Sequence, residues 1–79
     1  MAAIQVDHEL DARGLLCPMP IVKTAKAMKE LARGEVLKLM ATDRGSVTDV
    51  PAWTDTTGNE LVEHHEEDGV FVFLIRKTE

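Results

Sequence analysis

Residues 70–75 read Val70-Phe71-Val72-Phe73-Leu74-Ile75, apolar without a break. Alternate side chains of a strand point to opposite faces, so this run is apolar on both. It predicts a strand in the interior of a sheet, with helices over one face. The other face also needs cover, or it is a sticky surface. Asp68-Gly69 stands just before the run. That dipeptide predicts a two-residue hairpin turn, because both central residues of such a turn need positive φ. Glu60–Glu67 and Val70–Arg76 are therefore expected to pair as antiparallel strands.

The remaining chain divides into four further segments. Ile4 to Leu10 alternates, with Ile4, Val6 and Leu10 on one face and His8 interrupting, which predicts a half-buried strand. Asp11-Ala12-Arg13-Gly14 is the loop after it. Pro18 to Ala32 predicts a helix, with Ile21, Ala25, Met28 and Ala32 on its apolar stripe and Val22 widening it. Lys23, Lys26, Lys29 and Glu30 fall on the outward side. Gly34 is the expected C-terminal cap. Val36 to Ala41 predicts a short apolar strand, and Thr42-Asp43-Arg44-Gly45 a loop. Ser46 is placed to cap a second helix, with Asp49 as the capping-box acid. Pro51 lacks an N–H and clashes with the carbonyl of Val47, so the helix either bends there or starts nearer Asp49. Thr57-Gly58-Asn59 ends it.

The order β-α-β-α-β-β predicts an α/β (α+β) two-layer sandwich, in which two helices pack on one face of a four-stranded mixed sheet. Seventy-nine residues suit one domain spanning 1–79. A formal net charge of -5 argues against general affinity for nucleic acid or anionic lipid. The stretch Met1–Asp7 lacks the pattern of a signal peptide, and no run is long and apolar enough to span a bilayer. Both features point to the cytoplasm, where a lone thiol stays reduced. No Cys/His spacing suggests a metal, and no cofactor is expected.

Chemistry concentrates at Cys17, the one cysteine of the chain, within Leu10-Asp11-Ala12-Arg13-Gly14-Leu15-Leu16-Cys17-Pro18-Met19-Pro20. A free cysteine on its own is most often a small buried hydrophobe. At a helix N-terminus, however, the partial positive charge favours the thiolate, which is the nucleophilic form. Pro18 fits the first helical position and Pro20 the first turn, where a missing N–H costs no helical bond. Together they predict a stiff platform for the sulfur. They also remove two donors, leaving only the N–H of Met19 between them. The helix dipole and nearby cations must then supply much of the activation. Arg13 and Lys23 are the candidate cations, and Arg13, Lys23 and Lys26 are candidate docking residues.

A second cysteine would be needed for a dithiol oxidoreductase, and a base for a hydrolase. His8 precedes the loop but reads as an ordinary strand residue. His64 and His65 are adjacent on a strand, point to opposite faces and cannot share a metal. A carrier needs none of these groups. It needs one exposed sulfur that accepts a sulfane sulfur and gives it up.

The stretch Leu10–Pro20, with its Cys-Pro-X-Pro centre at Cys17-Pro18-Met19-Pro20, resembles the signature of the TusA/SirA-like sulfur carrier family. The similarity continues at Thr42-Asp43, at Asp49-Val50-Pro51-Ala52-Trp53 and at Gly58-Asn59-Glu60-Leu61. It implies the same β-α-β-α-β-β fold and a persulfide on Cys17. It also implies a sulfur donor protein, either a cysteine desulfurase or a rhodanese, and an acceptor protein. Family members serve tRNA thiolation, molybdenum-cofactor biosynthesis or dissimilatory sulfur oxidation. Many relatives have Asp-Pro where this chain reads Asp43-Arg44-Gly45-Ser46, a departure on the partner surface. Arg44-Gly45-Ser46 with Pro51-Ala52-Trp53 is more similar to carriers of sulfur oxidisers. Met19 is expected to be exposed as an adaptable apolar contact, and Trp53 to pack in the core.

The competing reading is a non-enzymatic interaction module that uses the surface around Lys23 and Lys26. Direct nucleic-acid binding is opposed by the charge and by an aromatic content of one Trp, two Phe and no Tyr.

Overall fold

The computed structural model describes residues 4–78. Met1–Ala3, part of the stretch read for a signal peptide, lie outside the described residues. Six elements follow in the expected order: β1 (His8–Ala12), α1 (Met19–Met28), β2 (Val36–Ala41), α2 (Ser46–Thr57), β3 (Glu60–Glu67) and β4 (Val70–Arg76). They form one four-stranded sheet in the order β1-β2-β4-β3. β1 runs parallel to β2, whereas β4 is antiparallel to both β2 and β3. The sheet is therefore mixed, and both helices lie on one face of it. The apolar strand β4 is interior, as its sequence requires.

The Asp68-Gly69 turn has positive φ at both residues, 51° and 82°. This matches the right-handed twist of the strands it joins. On the helix side Phe71, Phe73 and Ile75 enter the core with Ala12, Ala27, Met28, Leu31, Leu37, Leu39 and Val50. On the far side Val72 and Leu74 are also buried. Their cover comes from within the sheet. Met40 and His65 flank Val72, while Lys38 and Glu63 flank Leu74. Long charged side chains shield apolar surface with their stems in this way.

Boundaries of β1, α1 and α2 differ from the sequence expectation. β1 begins at His8 and runs through Ala12, so the residues expected to open the loop are strand. Its extent is set by its partner. The Asp7 N–H donates to the Val36 carbonyl, and the Asp7 carboxylate accepts from the Val36 N–H. β2 begins at Val36, so the ladder ends there and Ile4–Val6 have nothing to pair with.

α1 ends at Met28. Beyond it the amides of Lys29, Glu30 and Leu31 reach back only three residues, to Lys26, Ala27 and Met28. The last turn tightens, as helix ends commonly do. Gly34, with φ of 91°, belongs to a later turn and is not the cap.

The buried line of α1 is Pro20, Thr24 and Ala27 with Met28, continued past the helix end by Leu31. It lies one residue round from the expected stripe, which leaves Ile21 and Ala25 half-buried and Val22 and Ala32 exposed. Small residues on this line let the helix approach the sheet. Thr24 is tolerated there because its hydroxyl donates to the Pro20 carbonyl at 2.7 Å.

α2 begins at Ser46, not nearer Asp49, and continues through Pro51. Ser46 is a buried first helical residue, and Gly45 occupies the cap position without a side-chain bond. Gly58, with φ of 83°, ends the helix as expected.

Phe73 is 2% exposed at the centre of the core. Phe73→Ala is expected to cost about 3–5 kcal/mol. That equals most of the stability of so small a core. Urea denaturation followed by circular dichroism should show the variant largely unfolded at low denaturant.

Candidate functional site

Because β1 and β2 are parallel and end in register at Ala12 and Ala41, the segments that follow them leave the same edge of the sheet. The first segment leads to Cys17, and the second leads through Asp43 to α2. They are tied at once, since the Gly14 N–H donates to the Thr42 hydroxyl at 2.8 Å. Gly14 takes φ of 82° in this turn. The Leu15 N–H closes back onto the Ala12 carbonyl.

Cys17 is exposed and free. Its N–H donates to Asp43 Oδ2 at 3.2 Å. Its thiol lies 3.3 Å from Asp49 Oδ2, with the S–H as donor. Gly45 stands beside both carboxylates. A Cβ there would sit 3.1 Å from Asp43 Oδ2 and 3.6 Å from Asp49 Oδ2. The hydrogen bond to Asp49 pushes the Cys17 thiol above its ordinary value, with desolvation and then the negative charges of Asp49 and Asp43 acting in the same direction.

This overturns the expectation of a thiol activated by the helix N-terminus. Pro18 is the cap residue and not the first helical one, and Pro20 is the second helical residue, with no N–H to offer. The Met19 N–H, the donor left between them, is engaged by the Leu16 carbonyl at 2.8 Å. Arg13 does not supply the charge either. Its guanidinium donates twice to the Asp11 carboxylate, each bond 2.9 Å long. These bonds lower the Asp11 pKa to about 2.

Comparison with known proteins identifies the family of the chain. The family model described as Sulfurtransferase TusA matches residues 8–77. The chain belongs to this family. It is 51% identical over 72 residues to the sulfur carrier protein TusA of Allochromatium vinosum, covering 91% of this chain and 95% of that one. It is 48% identical over 71 residues to the putative sulfur carrier protein YrkI of Bacillus subtilis, covering 90% and 95%. Among solved structures, a SirA-like protein from Desulfitobacterium hafniense superimposes with a TM-score of 0.80 at 28% identity, covering 91% of this chain and 99% of that one. A sulfur carrier role follows from membership of the family, and with it interaction with donor and acceptor proteins.

The other candidate residues are scattered. Lys23 and Lys26 are exposed on α1 and line a shallow groove with His8, Leu10 and Glu30. His8 opens β1, four residues and about 13 Å along the strand from Ala12, so it is no base for Cys17. His64 and His65 do face opposite sides. His64 stacks on Phe73, while His65 lies 3.5 Å from Glu67 on the far face. Trp53 packs against the core and is only partly buried. Among the described residues no His, Cys, Asp and Glu cluster could hold a metal ion. No helix among them is long and apolar enough to cross a membrane.

Sequence reasoning missed Asp43 and Asp49 as neighbours of the sulfur. From sequence alone Asp49 reads as a cap of its own helix and Asp43 as a loop residue. The β-α-β order held the missing signal, because a parallel pair puts both following segments at one edge.

Asp43→Ala removes the acceptor of the Cys17 N–H. Hydrogen exchange at that amide is expected to accelerate about tenfold, consistent with the loss of one charge-assisted bond at an exposed site. Asp43→Asn should restore most of the protection, and amide exchange followed by NMR reads both.

Proposed function

We propose that this chain carries one sulfane sulfur as a persulfide on Cys17, takes it from a donor protein and passes it to an acceptor protein. The observation that supports this most directly is the setting of the sulfur. The only cysteine of the sequence is exposed beyond the carboxyl ends of two parallel strands. That edge is the usual place for ligand chemistry in open α/β sheets.

The residues around it suit transient protein contact. Leu16, Met19, Val22 and Val47 are large apolar side chains that remain exposed, Leu16 at 73%. An apolar rim around a reactive atom excludes water when a partner docks, and unbranched Met19 adapts to more than one partner. Pro18, Met19 and Pro20 hold the approach to the sulfur. Lys23 and Lys26 extend the docking surface along α1, whereas Arg13 shapes the loop through its pair with Asp11.

In this reading the chain acts as a sulfurtransferase that is itself the carrier. The donor is a cysteine desulfurase or a rhodanese, and the sulfur goes to tRNA thiolation or to dissimilatory sulfur oxidation. The cytoplasm suits this chemistry, since an exposed lone thiol persists only where thiols stay reduced.

The test is direct loading. Reduced protein is incubated with a cysteine desulfurase plus cysteine, and separately with rhodanese plus thiosulfate. A mass gain of about 32 Da, reversed by dithiothreitol and absent from Cys17→Ser, is the expected result. Equal loading of Cys17→Ser would overturn the assignment of the site. The faster donor points to the pathway.

A further inference from the structure

We propose that Asp49, backed by Asp43, holds Cys17 as a protonated thiol until a partner protein brings a cation to the two carboxylates. The proposal rests on the reading of Cys17 as the sulfur-accepting group and adds the chemistry its partner must present.

The geometry is that of a lock. One Asp49 oxygen accepts from the thiol, and one Asp43 oxygen accepts from the amide of the same residue. The two carboxylates converge on Gly45, and the charges of both act on the one sulfur. A thiolate at Cys17 would be a third negative charge at that point. Like charge within a few ångströms disfavours ionisation.

Among the described residues no cation offsets this. The charged groups that act on the thiol are Asp49 of α2 and Asp43 of the loop before it. Arg13, the cation of the sulfur's own loop, is held by Asp11. The prolines on either side of Met19 have no N–H, and the Met19 N–H is taken by Leu16. Resting Cys17 is therefore a poor nucleophile, which protects an exposed single thiol from adventitious chemistry.

A partner that places an Arg or Lys against Asp43 and Asp49 removes the obstacle. Cys17 Sγ then attacks the outer sulfur of the partner's persulfide. The new S–S bond forms as the old one breaks, and the partner's inner sulfur leaves with the bonding pair. It ends with the proton released from Cys17. The balance is Cys17–SH plus R–S–SH to Cys17–S–SH plus R–SH, with no external oxidant or reductant. Selectivity follows, because a reactive sulfur without a neighbouring cation meets a closed thiol.

Disulfide exchange tests the proposal without any donor protein. Rates at neutral pH and low salt would be measured with cystamine, 2-hydroxyethyl disulfide and 3,3'-dithiodipropionate, which are cationic, neutral and anionic. Each rate is divided by the rate of N-acetylcysteinamide with the same probe, cancelling differences between leaving groups. The wild-type protein is expected to favour the cation over the anion by about tenfold or more, a preference that fades in high salt. In Asp49→Asn it should fall to within about threefold, and the pH midpoint of iodoacetamide alkylation should drop. Asp55→Asn, in the last turn of α2 away from the sulfur, should retain the wild-type preference.

Equal normalised rates for cation and anion in the wild type would overturn the proposal, and that comparison needs no variant to fold. So would an unmoved alkylation midpoint in a folded Asp49→Asn. Neither result touches sulfur loading by a donor protein, so failure of the lock and failure of the carrier reading remain distinguishable.

Discussion

The parallel pairing of β1 with β2 is the constraint on which the rest depends. It fixes Ala12 opposite Ala41, so the chain leaves both strands at one edge within reach of itself. Without that register the Gly14–Thr42 bond could not form, and neither carboxylate would meet Cys17. A parallel pair cannot be closed by a tight turn and needs a crossover. α1 is that crossover, and the sulfur sits just before its cap residue, Pro18. The element that lets the sheet form thus also presents its chemistry.

The local structure around the sulfur is built to withhold donors. A helix start normally offers several unpaired N–H groups to an anion. Here Pro18 and Pro20 remove two, Leu16 takes the one at Met19, and the Cys17 amide turns to Asp43. A general rule about helix termini therefore gives the wrong sign for this thiol. The prolines that make the site rigid also strip it of stabilising contacts, and a carboxylate decides the balance.

Much of the fold was legible because its signals are covalently local. The Asp68-Gly69 turn, the apolar run of β4 and the Gly58 stop each depend on a few neighbouring residues, and each appears where the sequence places it. The misplaced features depend on partners. β1 starts where β2 can pair with it, not where its own alternation starts. The buried line of α1 passes through Pro20 and Thr24, which apolarity discounts, because the sheet accepts small side chains and Thr24 satisfies its hydroxyl on its own helix. Ser46 and Asp49 look like a capping pair from spacing alone, yet one is buried and the other turns to a sulfur 32 positions back in sequence. Cys17 stands out as the candidate in the sequence; its electrostatic surroundings do not, because they come from a segment that only the sheet brings near.

The position of the two aspartates also bears on why a carrier should have a guarded sulfur. A carrier must meet several proteins, so its sulfur cannot sit in a deep pocket, and exposure leaves it open to any oxidised thiol it encounters. Burial is one way to protect a thiol, but it would also block transfer. Charge offers protection without burial, because it acts at short range and a docked cation can cancel it. Under the proposal, the exposed apolar side chains of Leu16, Met19 and Val22 would supply the contact, and Asp43 and Asp49 would set the condition under which contact leads to reaction. Recognition and reactivity then reside in different residues, and partners of different shape can share one carrier if each presents a cation at the same place.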